Sequence, residues 1–217
     1  METNIQFQKN AAVLMANGKQ VGSIERVVVN PESKVVTDIV VRTGSLFNHE
    51  DKVVPIRLVA ETTTDQIVLH DEAGELKAFP LLAERRIVDA NEDTIRKSSD
   101  APPVIYGSPG LNPVVLPSTP GEQFVTQIEQ NIPKGTVAMK EGATVISAEG
   151  KNVGNVERVL ADSSVDQVTY LLISTGMFAR EKKLIPIKWV MTLGEDEVHL
   201  RVKKHSVEEL ANVSMVA

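Results

Sequence analysis

Apolar residues in this chain come in short runs with a period near two, broken by turn residues. Val13 and Met15 precede Asn17-Gly18-Lys19, and Val21 opens a longer β-branched run over residues 21–29. That pattern predicts a β-hairpin, with Asn-Gly supplying the positive φ angles of a type I′ turn. Asn30-Pro31-Glu32-Ser33 is turn chemistry, residues 35–43 form a nearly continuous apolar strand ended by Gly44, and residues 52–56 form another. Pro55 removes a ladder donor there, which predicts a sheet edge or a strand end. Residues 67–69 complete a set of about five short strands, the pattern of a small closed or partly closed barrel.

The set then recurs about 130 residues later. Gly18-Lys19-Gln20-Val21-Gly22-Ser23-Ile24-Glu25-Arg26-Val27 returns as Gly150-Lys151-Asn152-Val153-Gly154-Asn155-Val156-Glu157-Arg158-Val159. Thr43-Gly44 returns as Thr175-Gly176, and Val53-Val54-Pro55-Ile56 as Leu184-Ile185-Pro186-Ile187 after a loop shorter by one residue. The prediction is an all-β protein of two tandem small barrels, over residues 5–80 and 136–205, with short helical tails and a connector over residues 81–135. A unit of this size buries little more than half of its unfolded surface, so each copy is expected to pack on the other or on a partner.

Between the copies, residues 98–135 are rich in proline, glycine and serine, which resists helix and central strand and predicts an extended connector. Its apolar runs Val104-Ile105-Tyr106 and Val114-Val115-Leu116 leave two readings open, a bare tether or a strap lying on a barrel. Residues 80–97 and 123–131 read as helix-prone. Ser206-Val207-Glu208-Glu209 reads as a capping box that opens a C-terminal helix over residues 206–217.

Composition narrows the chemistry. With no cysteine, a disulfide framework, thiol catalysis and thiolate metal sites are excluded. A net charge of −6 and an aromatic content of 4% argue against wholesale nucleic-acid binding and base-stacking platforms. The start of the chain lacks signal-peptide character and no apolar run is long enough to span a membrane, so a cytoplasmic location is expected. The four histidines fall in separate segments, and His49 beside Glu50 and Asp51 suggests at most a weak cation loop. No nucleophile elbow or phosphate-cradling glycine loop is present, so neither catalysis nor a cofactor or metal is expected.

The motif Gly-Lys-x-Val-Gly-x-(Ile/Val)-Glu-Arg-Val, the strand ending in Thr-Gly, the loop holding Leu46-Phe47 or Met177-Phe178, and the following Val-Pro-Ile or Ile-Pro-Ile together resemble the PRC-barrel domain. This family includes the cytoplasmic part of the photosynthetic reaction-centre H subunit and the C-terminal domain of the ribosome maturation factor. The resemblance implies two adaptor barrels that bind protein partners or self-associate. By analogy it also admits association with RNA and the ribosome, or a peripheral place in a photosynthetic or membrane complex. Its fold-bearing positions here are Gly18, Gly22, Gly44 and Pro55, with Gly150, Gly154, Gly176 and Pro186.

Three groups of residues are candidates for interaction. Glu25-Arg26 and Glu157-Arg158 are charged pairs inside a strand, where alternation sends the two side chains to opposite faces. They either close ion pairs at the barrel rim or fix the register of docking. Phe47 and Phe178 either plug their own barrels or anchor a partner. Arg180, Lys182 and Lys183 make one loop of the second copy locally basic, with an RNA or anionic contact as the alternative to a solvated charge run.

Overall fold

The computed structural model describes residues 4–45, 48–63, 65–74, 76–89, 124–176 and 181–213. They divide into two compact units, one of residues Met1–Leu82 with Asn131–Ala217 and the other of Ala83–Gln130.

In the first unit the chain forms β1 (Asn4–Gln8), β2 (Ala12–Leu14), β3 (Gln20–Val29), β4 (Val36–Ser45), β5 (Asn48–Pro55), β6 (Val59–Thr62) and β7 (Gln66–Leu69). After the second unit's β8 (Ala83–Asp89) and β9 (Phe124–Gln130) it returns as β10 (Val137–Lys140), β11 (Thr144–Ile146), β12 (Asn152–Asp162) and β13 (Gln167–Thr175). The strands β14 (Glu181–Pro186), β15 (Val190–Leu193) and β16 (Glu197–Leu200) and a helix, α1 (Lys204–Glu208), complete it. The two copies have one topology. Their strand orders are β5-β4-β3-β2-β7-β6 and β14-β13-β12-β11-β16-β15, with β2 and β7, like β11 and β16, running parallel. Pro55 and Pro186 end β5 and β14 and lead into short 3-10 turns, where a missing N–H costs no ladder bond.

Each sheet has a seventh strand, and it comes from the other copy. β1 pairs antiparallel with β12, and β10 with β3. The registers are equivalent: Phe7 lies opposite Val159 and Gln8 opposite Arg158, while Met139 lies opposite Val27 and Lys140 opposite Arg26. A tight turn at Asn10 and at Gly142, both at positive φ, carries the chain from the foreign sheet into its own. The tips of the β3–β4 and β12–β13 hairpins also meet reciprocally. The Val36 N–H donates to the Asp166 carbonyl and the Val168 N–H to the Lys34 carbonyl, each 2.8 Å. One apolar core runs through both copies, with Phe7 and Met139 buried in it beside Ile24, Val156, Ile39 and Leu171. The marginal size of one copy is thus offset by a shared interior.

Several local expectations are corrected. Residues 124–130, expected to be helical, form β9, and residues 83–89 form β8; the two pair antiparallel from Ala83↔Gln130 to Asp89↔Phe124. Val125, Thr126 and Ile128 are β-branched and favour a strand, and β8 supplies the partner that completes its backbone hydrogen bonds. The ends of the connector therefore form a β-ribbon, and its proline-rich stretch with both apolar runs lies outside the described residues. The C-terminal helix starts at Lys204 and not at a Ser206 cap, because Lys203 occupies the extended N-cap position and Ser206 lies inside the helix. The Asn17-Gly18 turn is not type I′: Gly18 has φ of 78° while Asn17 is not among the positive-φ residues. The Gly18 N–H donates to the Met15 carbonyl and the Met15 N–H to that of Lys19, which makes a type I turn closed by a left-handed glycine. Gly150 repeats it with φ of 74°.

Candidate functional site

The charged residues picked out by the repeat converge on the seam between the copies. β3 carries a β-bulge between Ile24 and Arg26, and β12 one between Val156 and Arg158. Glu25 and Glu157 are the extra residues. The expected alternation is therefore interrupted. Glu25, Arg26, Glu157 and Arg158 all border one small void at the seam, together with Phe7 and Met139.

Glu25 is 9% exposed and holds two cations, Lys9 Nζ at 3.3 Å and Arg42 Nη1 at 3.0 Å. Arg42 in turn grips Asp51 through Nε at 2.9 Å and Nη2 at 3.0 Å, and these bonds hold its guanidinium pKa above the ordinary value. Glu157 instead holds Lys182 Nζ at 2.7 Å. The two arginines reach across the seam, Arg26 to Glu195 at 3.1 Å and Arg158 to the Gln6 side-chain carbonyl at 3.2 Å. The Lys9 backbone N–H donates to the Glu141 carboxylate, joining equivalent positions of the two copies. Burial pushes the Glu141 carboxyl above the usual range, and that backbone bond and the Lys9 charge partly oppose it. At the hairpin tips burial lowers the Lys34 pKa, helped by the Arg201 charge, and raises that of Asp166.

The basic loop is smaller than it reads in sequence. Lys183 turns inward at 5% exposure and donates to the Glu208 and Leu210 carbonyls at 2.9 and 2.7 Å, closing the end of α1. It is not placed to touch phosphate. Its equivalent Lys52 is also buried, and the recurrence of lysine at this place in both copies was the available signal. Lys182 is committed to Glu157, while Arg180, Phe47 and Phe178 lie outside the described residues. Around His49, Glu50 pairs with Lys52 and Asp51 with Arg42, so the supposed cation loop is already neutralised by the chain's own cations.

Gly22 and Gly154 allow the close approach of neighbouring strands: a Cβ on either would overlap the carbonyl oxygen of Arg42 or Ser174. Beside Gly154 the second copy has a groove of about 1150 Å³, lined by Asn155, Glu157, Ser174, Thr175, Glu181 and Lys204 among others. Ser174 stands there where the first copy has Arg42.

The outer sheet faces also differ. On the first copy Val28, Val40, Val53 and Ala138 are buried with Leu82 and Ile132 packed against them, and Asp38 beside them is 7% exposed. On the second, Leu172 is buried, Leu160 and Leu184 are half-buried, and Tyr170, at the place of Asp38, is 41% exposed. Both faces keep an edge cover, since the Leu82 N–H donates to the Asp51 carbonyl and the Val213 N–H to that of Lys182.

Among the described residues no helix is long and apolar enough to cross a membrane. Residues 9–76 and 141–206 each match the family model of the PRC-barrel domain. A search of the curated proteins finds no match to this chain.

Proposed function

The chain belongs to the PRC-barrel domain family, with two copies in tandem, and from that premise we propose that it is a non-enzymatic docking module for protein partners. The reading rests on the contrast between the two outer faces. The first copy covers its own face with Leu82 and Ile132, whereas the second leaves Tyr170 exposed between the half-buried Leu160 and Pro186. An aromatic ring with a polar tip on a partly apolar sheet face is the residue type that dominates interface energetics. The shared core gives that face a rigid base, so a partner would lose little freedom in ordering it.

Affinity purification from the native source tests this, comparing the natural chain with Tyr170→Glu and with Met191→Ser, a control at another exposed apolar residue. The expected result is a stoichiometric protein retained by the natural chain and the control and lost with Tyr170→Glu. Retention of the same proteins by all three, or recovery of material that nuclease removes, would count against it.

A further inference from the structure

The seam brings equivalent positions of two similar domains together, and at those positions the copies differ in charge. Lys9 and Glu141 occupy the same place in the repeat and meet across the seam. The Lys9 ammonium adds a second contact, to Glu25. Arg26 of the first copy finds Glu195, which precedes β16; the corresponding segment of the first copy, Thr63-Thr64-Asp65, has no glutamate. Arg158 of the second copy finds Gln6, whose equivalent on β10 is Ala138.

Pairing of like with like would undo the contacts that cross the seam, while the Lys9–Glu25 pair lies within the first copy. Two first copies would set Lys9 against Lys9 and leave Arg26 without its carboxylate. Two second copies would set Glu141 against Glu141 beside both Glu157 side chains, four carboxylates around one small void, and would put Ala138 where Arg158 has an amide acceptor. The burial that already raises the Glu141 pKa makes a further carboxylate there costly. Backbone pairing alone cannot tell the two arrangements apart, because the registers of β1 on β12 and of β10 on β3 are equivalent. The discrimination has to come from side chains, as it does wherever a repulsive element excludes a wrong partner.

We propose that this seam is a recognition surface for heterotypic pairing: a first-copy barrel accepts a second-copy barrel and rejects its own kind. Within one chain the rule joins the two halves in cis. Between chains it admits only a first copy on another chain's second copy.

The chain has no cysteine, so engineered disulfides report on the pairing directly. Asn4 and Asp162 are Cα partners at the end of the β1–β12 ladder, outside the charged cluster. Directly opposed antiparallel Cα atoms lie within disulfide reach. A full chain carrying Asn4→Cys and Asp162→Cys should close under mild oxidation to a cross-linked monomer. In that background Arg26→Glu and Glu195→Arg, which reverse the side-chain ion pair across the seam, should each slow closure about tenfold, and the two together should restore it to within about twofold. A second chain with Asn4→Cys and Asn30→Cys carries the pair that a first-with-first seam would oppose, and it should give no covalent dimer at raised concentration. Unchanged closure with both single reversals, a double reversal as slow as the worse single one, or covalent dimers from the second chain would each overturn the rule.

Discussion

The two barrels meet the same electrostatic demand with cations on different strands. Both place a glutamate at a β-bulge beside the seam, and both supply it with a positive partner. In the first copy that partner is Arg42 on β4, braced by Asp51 on β5. In the second, β13 carries Ser174 at the place of Arg42, and β14 carries Lys182 at the place of Asp51. The cation has moved one strand over and the counter-charge has gone with the arginine. What is retained is the pairing of the bulged carboxylate and not any single residue, which is why a half-buried charge survives duplication and drift. The exchange leaves a short serine beside the groove of the second copy, where the first has a guanidinium.

The largest effect should come from breaking what the copies share. Phe7 is 2% exposed in a core built from both barrels. Phe7→Ala should cost about 3–5 kcal/mol, and Met139→Ala at the equivalent position about 2–5 kcal/mol. Urea unfolding followed by far-UV circular dichroism should show one transition lowered as a whole by either change. Two separated transitions, one barrel melting before the other, would mean that the seam is not cooperative.

Next come the two close-approach glycines. Gly22→Ala and Gly154→Ala should each cost about 1–3 kcal/mol, because the Cβ overlaps a backbone carbonyl that can yield only if two strands move apart. Gly154 also has φ of 146°, so its substitution should be the worse of the pair. Thermal midpoints of the two variants, measured side by side, check the order.

The exchange of cations sharpens the comparison further. Arg42→Ser leaves Glu25 with Lys9 alone and frees Asp51, and should cost about 1–2 kcal/mol after allowance for the arginine's partial exposure. Adding Asp51→Lys recreates the arrangement of the second copy and should recover most of the loss. A double-mutant cycle in urea measures the coupling, and additivity of the two changes would show that the strands do not share one network.

The repeat made the barrels legible, because glycines, prolines and β-branched runs fix strands and turns through local chemistry. Gly18 and Gly150 marked the hairpins correctly even though the turn type differed. Strand exchange was not legible: Asn4–Gln8 and Val137–Lys140 are not among the strands expected from the sequence, and no local feature names the sheet that they join. The bulges were hidden for a similar reason, since one extra residue changes register without changing composition. Ser206 and Lys183 show tertiary override. A capping motif gave way to a helix already started at Lys204, and a lysine in a basic run turned inward to the carbonyls that end it. At the seam the opposite charges of Lys9 and Glu141 were visible in the repeat, but only the fold shows that equivalent residues touch.

The smallest effect concerns the outer faces, where Asp38 of the first copy answers Tyr170 of the second. Asp38 is 7% exposed, its Oδ2 has no hydrogen-bond partner, and burial pushes its carboxyl above the ordinary value against the pull of Arg57. A raised folded pKa means that the folded chain binds this proton more tightly than the unfolded one. Stability therefore falls as pH rises from the ordinary carboxylate range, about pH 4, through the raised folded value, and stays low above it. Asp38→Asn removes the charge without changing shape and should gain about 1 kcal/mol at neutral pH. Glu141 and Asp166 shift in the same direction and stay in both proteins, so the difference between variant and natural chain isolates Asp38. That difference should shrink as the pH is lowered toward 4 and vanish below it, where both side chains are neutral. Urea midpoints from pH 4 to 8 decide the matter, and a gain that does not depend on pH would place its origin in packing and not in the buried charge.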